Sequence, residues 1–153
     1  MEKRDEVEIV EYIENNPVAV LGTVGKDHTL YGAAVYICAL AADKYYFLTK
    51  EETQKIKNIR ENHQVSVTIV NPAEDSILQA HGRANIIEDS AVIDLITSKI
   101  ATIYAHGAEP VPPIAKIQAG DYRIVGIEAK EVRLTKYKGL LAQEGEPPRD
   151  RSE

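Results

Sequence analysis

Five polar residues crowd one junction in the stretch YYFLTKEETQKIKNIRENHQVSVTIV (45–70): Thr49, Lys50, Thr53, Gln54 and Lys55. The apolar residues before them predict a strand, and those after them predict a short helix. Free backbone N–H groups and the helix dipole both point out of a helix start, so further donors there can hold an anion such as a phosphate. Glu51 and Glu52 oppose this unless they point away. An alternative remains open, because Thr49 and Glu52 match a capping box, T-x-x-E.

The segments that must position this junction are predicted from periodicity. Helical spacing of the apolar residues Val7, Ile9, Val10 and Ile13 predicts a first helix that ends at Asn15-Asn16-Pro17. Three strands follow, with the sequences VAVLGTV (18–24), LYGAAVYICAL (30–40) and YYFLT (45–49). The connections between them are short, which favours antiparallel hairpins over crossovers.

The second half of the chain continues in the same way. A helix is predicted over 51–62, followed by the strands QVSVTIV (64–70) and SILQAHGRANIIE (76–88), with Gly82 at a bulge. Ser90 or Asp89 can cap a helix that runs to Ile103. A proline-rich loop, GAEPVPPIAKIQAG (107–120), then leads into a long last strand, DYRIVGIEAKEVRLTKY (121–137).

About six strands in meander order, without a βαβ rhythm, predict a mainly β protein: a six-stranded antiparallel barrel with inserted helices. The expected organisation is one domain over residues 1–138 and a flexible tail over 139–153. The net charge of −6 argues against nucleic-acid binding. A charged start and the lack of a long apolar run predict no signal peptide and no membrane span, hence a cytoplasmic protein. The four histidines lack metal-ligand spacing, so no metal site is predicted.

The segment FLTKEETQKIKNIRENHQVSV resembles the Thr-x-x-x-Ser/Thr-x-Lys signature of the pyridoxamine 5'-phosphate oxidase-like, FMN-binding split barrels. The resemblance covers roughly residues 18–134 and implies a split β-barrel that binds FMN. It assigns the FMN phosphate to Thr49, Thr53 and Lys55. Gln54 stands where many relatives have Arg, and Lys50 is adjacent to the phosphate or the ribityl chain. The resemblance places the second strand along the isoalloxazine ring, through Ala34, Val35 and Tyr36.

The sequence also departs from the family pattern. Relatives that oxidise pyridoxamine phosphate have an Arg at the position of Ala33 and a Lys at that of Cys38. The C-terminal segment KEVRLTKYKGL lacks their Arg-x-His motif. Pyridoxamine phosphate oxidase activity itself is therefore not expected, and no catalytic residue is assigned.

The resemblance implies a homodimer with FMN at the subunit interface, acting as an oxidoreductase on an unknown small substrate or electron donor. The second subunit would complete the pocket from the fifth strand or from residues 107–119. Two alternatives stay open. One is a flavin-binding or stress-related protein without turnover. The other is a split barrel that uses deazaflavin or haem, with His81 or His106 as the haem ligand.

Overall fold

The computed structural model describes residues 1–104, 114–138 and 149–150. The helices are α1 (Lys3–Asn15), α2 (Gln54–Glu61), α3 (Ser90–Tyr104) and α4 (Ile114–Gln118). The strands are β1 (Val18–Val24), β2 (Leu30–Ala41), β3 (Lys44–Lys50), β4 (Gln64–Asn71), β5 (Ser76–Ile86), β6 (Tyr122–Lys138) and the two-residue β7 (Arg149–Asp150). Short 3₁₀ turns lie at Lys26–His28 and Pro72–Glu74.

The strands form one antiparallel sheet in the order β3-β2-β1-β4-β5-β6-β7. A further pairing between β3 and β6, from Lys44–Glu128 to Lys50–Tyr122, closes the first six strands into a barrel. The pairing of β2 with β3 extends only from Ile37–Phe47 to Ala41–Lys44. The rest of β2 pairs with β1 and the rest of β3 pairs with β6, so β2 and β3 part at the end where β3 leads into α2.

The inside of the barrel holds the main core. Strand alternation points one face of each strand inward, and the fully buried side chains there include Leu21, Ile37, Tyr45, Phe47 and Leu78. Helix α1 adds Ile9, Tyr12 and Ile13 to this cluster, and α2 adds Ile56 and Ile59. Burying each large apolar side chain contributes roughly 1.5–3 kcal/mol, which makes this cluster the main source of stability.

Helix α3 covers part of the outside of the barrel. Its Ile96 and Ile100 pack on Cys38 of β2 and Ile124 of β6, with Tyr46 and Leu48 of β3 at the edge of the cluster. Asp89 caps the helix, because its carboxylate accepts hydrogen bonds from the N–H groups of Ala91 and Val92. Within the described ranges, no helix is long and apolar enough to cross a membrane.

The predicted six-stranded antiparallel barrel is confirmed, as is the bulge at Gly82, where the β5–β6 register shifts. The capping box at Thr49 and Glu52 is wrong: α2 begins at Gln54, and its N-cap is Thr53. The predicted loop 107–120 contains the short helix α4. The predicted tail 139–153 lies outside the described residues, except for Arg149 and Asp150.

Candidate functional site

The junction between β3 and α2 is built around the hydroxyl of Thr53. This oxygen accepts a hydrogen bond from the N–H of Ile56 at 3.4 Å and donates one to the carbonyl of Lys50 at 3.1 Å. The side chain therefore satisfies one of the N–H groups that a helix start leaves unpaired. It also links the last residue of β3 to the helix, so the hydroxyl contributes to the stability of the fold.

Gln54 is tied to the barrel in the same way. Its side-chain amide donates to Oδ1 of Asn58 at 2.7 Å. The buried Asn58 in turn donates to Oγ1 of Thr23, on β1, at 2.9 Å. One amide N–H of Gln54 is thus used within the protein, and its second N–H is left to contact a ligand.

Glu51 turns away from the helix mouth. Its two carboxylate oxygens lie 2.6 Å from Nη1 of Arg60 and 2.7 Å from Nε of Arg123. These contacts, led by the hydrogen bond from Arg60, lower the pKa of Glu51. The negative charge of Glu51, which would oppose an anion, is therefore balanced by the two arginines. The neighbouring Glu52 is exposed.

Arg123 was missed by the sequence analysis. It lies on β6 directly opposite Thr49 of β3, so the closing pairing of the barrel brings it to the junction. Its partner Glu51 is 72 residues away in the chain. A local sequence motif does not reveal a contact between residues so far apart. The sequence showed Arg123 simply as an arginine at the start of the last strand.

Thr49 and Lys55 also have side-chain donors that no hydrogen bond or ion pair among the described residues uses. The side chain of Thr49 is only 7% exposed, and no hydrogen bond to its hydroxyl occurs among the described residues. Lys55 is half-buried, and burial lowers the pKa of its ammonium group. No carboxylate of the described residues pairs with it. A partly desolvated cation without a partner stands next to the helix start, whereas Lys50 is exposed.

Comparison with known proteins identifies the family of the chain. The model of the pyridoxamine 5'-phosphate oxidase family matches residues 6–136. The chain belongs to this family. No curated protein sequence matches it. Members of the family are thus related to it over nearly the whole barrel, including the junction between β3 and α2.

Solved structures of similar shape support the family assignment at the level of fold. A Clostridium acetobutylicum protein related to general stress protein 26 has 16% identity and a TM-score of 0.67, covering 99% of this chain and 96% of that one. A FAD-binding protein from Mesorhizobium loti has 17% identity and a TM-score of 0.66, with 84% and 91% covered. A protein named F420 reductase has 20% identity and a TM-score of 0.62, with 82% and 93% covered. The fold is a six-stranded split barrel.

The three β2 residues predicted to line the isoalloxazine ring precede Ile37, at which the pairing of β2 with β3 begins. Val35 points into the core, so it can offer a ligand its backbone alone. Ala34 is exposed and Tyr36 is half-buried, both on the outer face opposite Val20 and Val18 of β1.

Ala33 and Cys38 stand where relatives that oxidise pyridoxamine phosphate have an Arg and a Lys. Both have apolar surroundings. Ala33 is half-buried opposite Leu21. Cys38 is buried against α3, and desolvation by burial raises the pKa of its thiol to about 11, although Lys99 opposes the shift.

The histidines occupy separate places. His81 is exposed on the outer face of β5 and lies 2.9 Å from a carboxylate oxygen of Glu131. His63 contacts the carbonyl of Ala84 at 2.9 Å, and His28 lies in a turn with φ 61°. His106 lies outside the described residues. In the described part of the chain, no three His, Cys, Asp or Glu side chains are grouped to hold a metal ion.

Proposed function

We propose that this protein binds FMN at the mouth of α2 and uses it as an oxidoreductase on a small substrate. The observation that carries the proposal is the half-buried ammonium group of Lys55 beside the start of α2, which no carboxylate in the described part of the chain pairs, with Glu51 held away by two arginines. A cation in this environment is stabilised by an anion, and helix starts favour phosphate.

The donor set fits a phosphate group. Lys55 supplies the charge, Thr49 supplies a hydroxyl, and the first turn of α2 supplies backbone N–H groups. Each charge-assisted hydrogen bond contributes roughly 1.5–3 kcal/mol. Thr53 shapes the mouth as the helix cap, and the second N–H of the Gln54 amide can join the set. Lys50, which is exposed, adds positive potential from outside.

The flavin ring would lie along β2 before Ile37, where β2 and β3 part. The exposed methyl group of Ala34 leaves space for a flat ring, and Tyr36 borders it. When bound, the flavin supplies hydride or electron transfer, while the protein supplies position and polarity. We assign no general acid or base to this chain.

We further propose that the protein works as a homodimer, with each flavin between two subunits. The outer face of the sheet carries an exposed apolar patch, which we define as Val18, Val20 and Val70; their exposed fractions are 51, 52 and 54%. Large exposed apolar patches mark interaction sites. The patch adjoins Ala34 and Tyr36 across the β1–β2 pairing, so a second copy seated on it would wall the ring site.

A second candidate is deazaflavin binding, which is favoured by the likeness to the protein named F420 reductase. A flavin-binding role without turnover is the other alternative. The absorption spectrum of the purified protein distinguishes flavin, deazaflavin and haem. Mixing the flavin-loaded protein with reduced nicotinamides then tests turnover, because steady oxidation of the donor requires an enzyme.

The decisive experiment is an FMN titration of Lys55→Ala beside Lys57→Ala, followed by flavin fluorescence. Lys57 is exposed two residues further along α2 and serves as the matched control. We expect Lys55→Ala to weaken FMN binding at least about tenfold, since one charge-assisted contact is lost. Lys57→Ala should leave the affinity unchanged. Equal affinities in all three proteins, with unchanged melting temperatures, would remove the helix mouth as the phosphate site.

A further inference from the structure

A groove of about 540 Å³ crosses the outer face of β1, β4 and β5, apart from the helix mouth. Its floor includes Gly22 and Ser66, its apolar side is formed by Val24, Leu30 and Tyr31, and its opposite side carries His81, Arg83 and Lys130. A volume of this size accommodates a small organic molecule. None of the five polar residues of the helix mouth lines it.

The charge of the groove is opposite to that of the chain. The net charge of the protein is −6, yet the described residues that line this groove include no Asp or Glu. Arg83 and Lys130 are exposed and form no ion pair within the described residues, although Glu128 lies opposite Arg83 on β6. The nearby carboxylate of Glu131 is paired with His81. Two basic side chains therefore face the groove uncompensated.

Lys130 reaches the groove because of a bulge. On β6, Glu131 pairs with His81 and Ala129 pairs with Gly82, so Lys130 is the extra residue between them. Gly82 is required there, because a Cβ at this position would collide with the carbonyl oxygen of Glu128. Bulges redirect side chains and are common beside binding sites. This bulge adds a cation to the face that already carries Arg83.

The floor of the groove is formed by small residues. Gly22 and Gly32 are cross-strand partners on β1 and β2, and the side chain of Ser66 lies where a Cβ on Gly22 would be. Leu30, which is 80% exposed, and Tyr31, which is 41% exposed, stand beside this low floor. The groove thus combines an apolar wall, a hydroxyl and two free cations.

We propose that this groove binds a small organic anion, in which a phosphate or carboxylate group is attached to an apolar or aromatic body. Arg83 and Lys130 hold the anionic group by charge-assisted hydrogen bonds. The body lies over the glycine floor against Leu30 and Tyr31. The groove is separate from the proposed phosphate site, since neither Lys55 nor Thr49 lines it.

Calorimetric titration with phenyl phosphate and with benzoate tests this inference, with benzyl alcohol as the uncharged comparison. We expect saturable binding of at least one anion and none of the alcohol, and the stronger anion shows whether phosphate or carboxylate is preferred. Arg83→Gln and Lys130→Gln should each weaken binding about tenfold. Lys44→Gln, which removes an exposed cation outside the groove, should leave it unchanged.

The Lys55→Ala variant distinguishes binding in the groove from binding at the helix mouth. We expect it to bind phenyl phosphate as tightly as the unaltered protein does, whatever its FMN affinity. Thermal melting of each variant establishes that it is folded before the titration. The inference is overturned if neither anion saturates, if both groove variants bind as the unaltered protein does, or if Lys55→Ala abolishes the binding.

Discussion

At the scale of single residues, the reactivity of the Cys38 thiol depends on helix α3, which covers it on the outside of the barrel. The thiol lies beneath Ile96 and Ile100 of α3, and burial raises its pKa to about 11 from the ordinary value of 9.0. Since the thiolate is the reactive form, we expect iodoacetamide at pH 8 to alkylate the folded protein roughly a hundredfold more slowly than the urea-unfolded protein. The rate for the folded protein should rise with pH towards 11. Mass spectrometry of timed samples measures both rates.

The result that contradicts this expectation is equal alkylation of the folded and unfolded chains at pH 8. Ile100→Ala provides the comparison, because removing a fully buried side chain from above the thiol should speed the reaction. The sequence alone placed Cys38 on the second strand. It did not show which element covers the thiol, because the packing of α3 on β2 joins segments about sixty residues apart in number.

At the scale of elements, the side chain of Thr53 caps the start of helix α2. Its hydroxyl bonds both the N–H of Ile56 and the carbonyl of Lys50. We expect Thr53→Ala to lower the free energy of unfolding of the flavin-free protein by about 1 kcal/mol, as loss of an N-cap does. Thr53→Ser keeps the hydroxyl and should lose much less. Urea unfolding followed by circular dichroism measures both, and equal stability of Thr53→Ala and the unaltered protein would contradict the cap.

Glu51 joins three elements, β3, α2 and β6, through Arg60 and Arg123. Its pKa is lowered in the folded state, so ionised Glu51 stabilises the fold above its ordinary pKa, and this stability is lost as the pH falls through the folded value. We expect the free energy of unfolding to fall more steeply between pH 6 and pH 3 in the unaltered protein than in Glu51→Gln. The difference is on the order of 1 kcal/mol, because the arginines are partly exposed.

Glu61→Gln is the matched control for that comparison, since Glu61 is an exposed carboxylate at the other end of α2 without an ion pair among the described residues. Urea unfolding at several pH values supplies the data. Parallel pH profiles for Glu51→Gln and the unaltered protein would show that the arginine contacts contribute no stability.

The same junction marks the limit of what the sequence predicted. Alternation placed β1, β4 and β6 within a residue of their observed ends, because each strand buries one face. The predicted helix 51–62 began three residues before the observed start of α2 at Gln54, and the capping-box spacing of Thr49 and Glu52 is not used. Thr49 instead remains in β3, where its pairing with Arg123 of β6 continues the strand. A local capping preference of about 1 kcal/mol gives way to the closing ladder of the barrel.

At the scale of the whole molecule, the hairpins and the barrel were predictable, but the meander order was wrong, because β4 pairs with β1 and β3 pairs with β6. Short turns favoured the hairpin of β1 with β2, and the pairing of β4 with β5 follows in sequence. The β3–β6 pairing joins strands that are distant in the chain, and periodicity gives no register for it. That pairing brings Arg123 to the helix mouth. The bulge that presents Lys130 also depends on long-range pairing, although Gly82 marked its place.

The exposed apolar patch of Val18, Val20 and Val70 leads to a prediction for the assembly. A lysine at Val20, which is 52% exposed at the centre of the sheet face, would place a charge in the proposed subunit contact. Burying an unpaired charge is costly, so we expect Val20→Lys to be monomeric by size-exclusion chromatography with light scattering, and the unaltered protein to be a dimer. Its circular dichroism should be unchanged, because the side chain points away from the core.

Leu95→Lys is the control, as Leu95 is a 47% exposed apolar residue on α3, away from the patch. It should remain dimeric. If the second subunit walls the ring site, Val20→Lys should also bind FMN more weakly, although every phosphate contact from its own chain is intact. A monomeric Val20→Lys variant with full FMN affinity would separate the two proposals, leaving the helix mouth as a flavin site complete within one chain. A dimeric Val20→Lys variant would instead show that the patch is not the subunit contact.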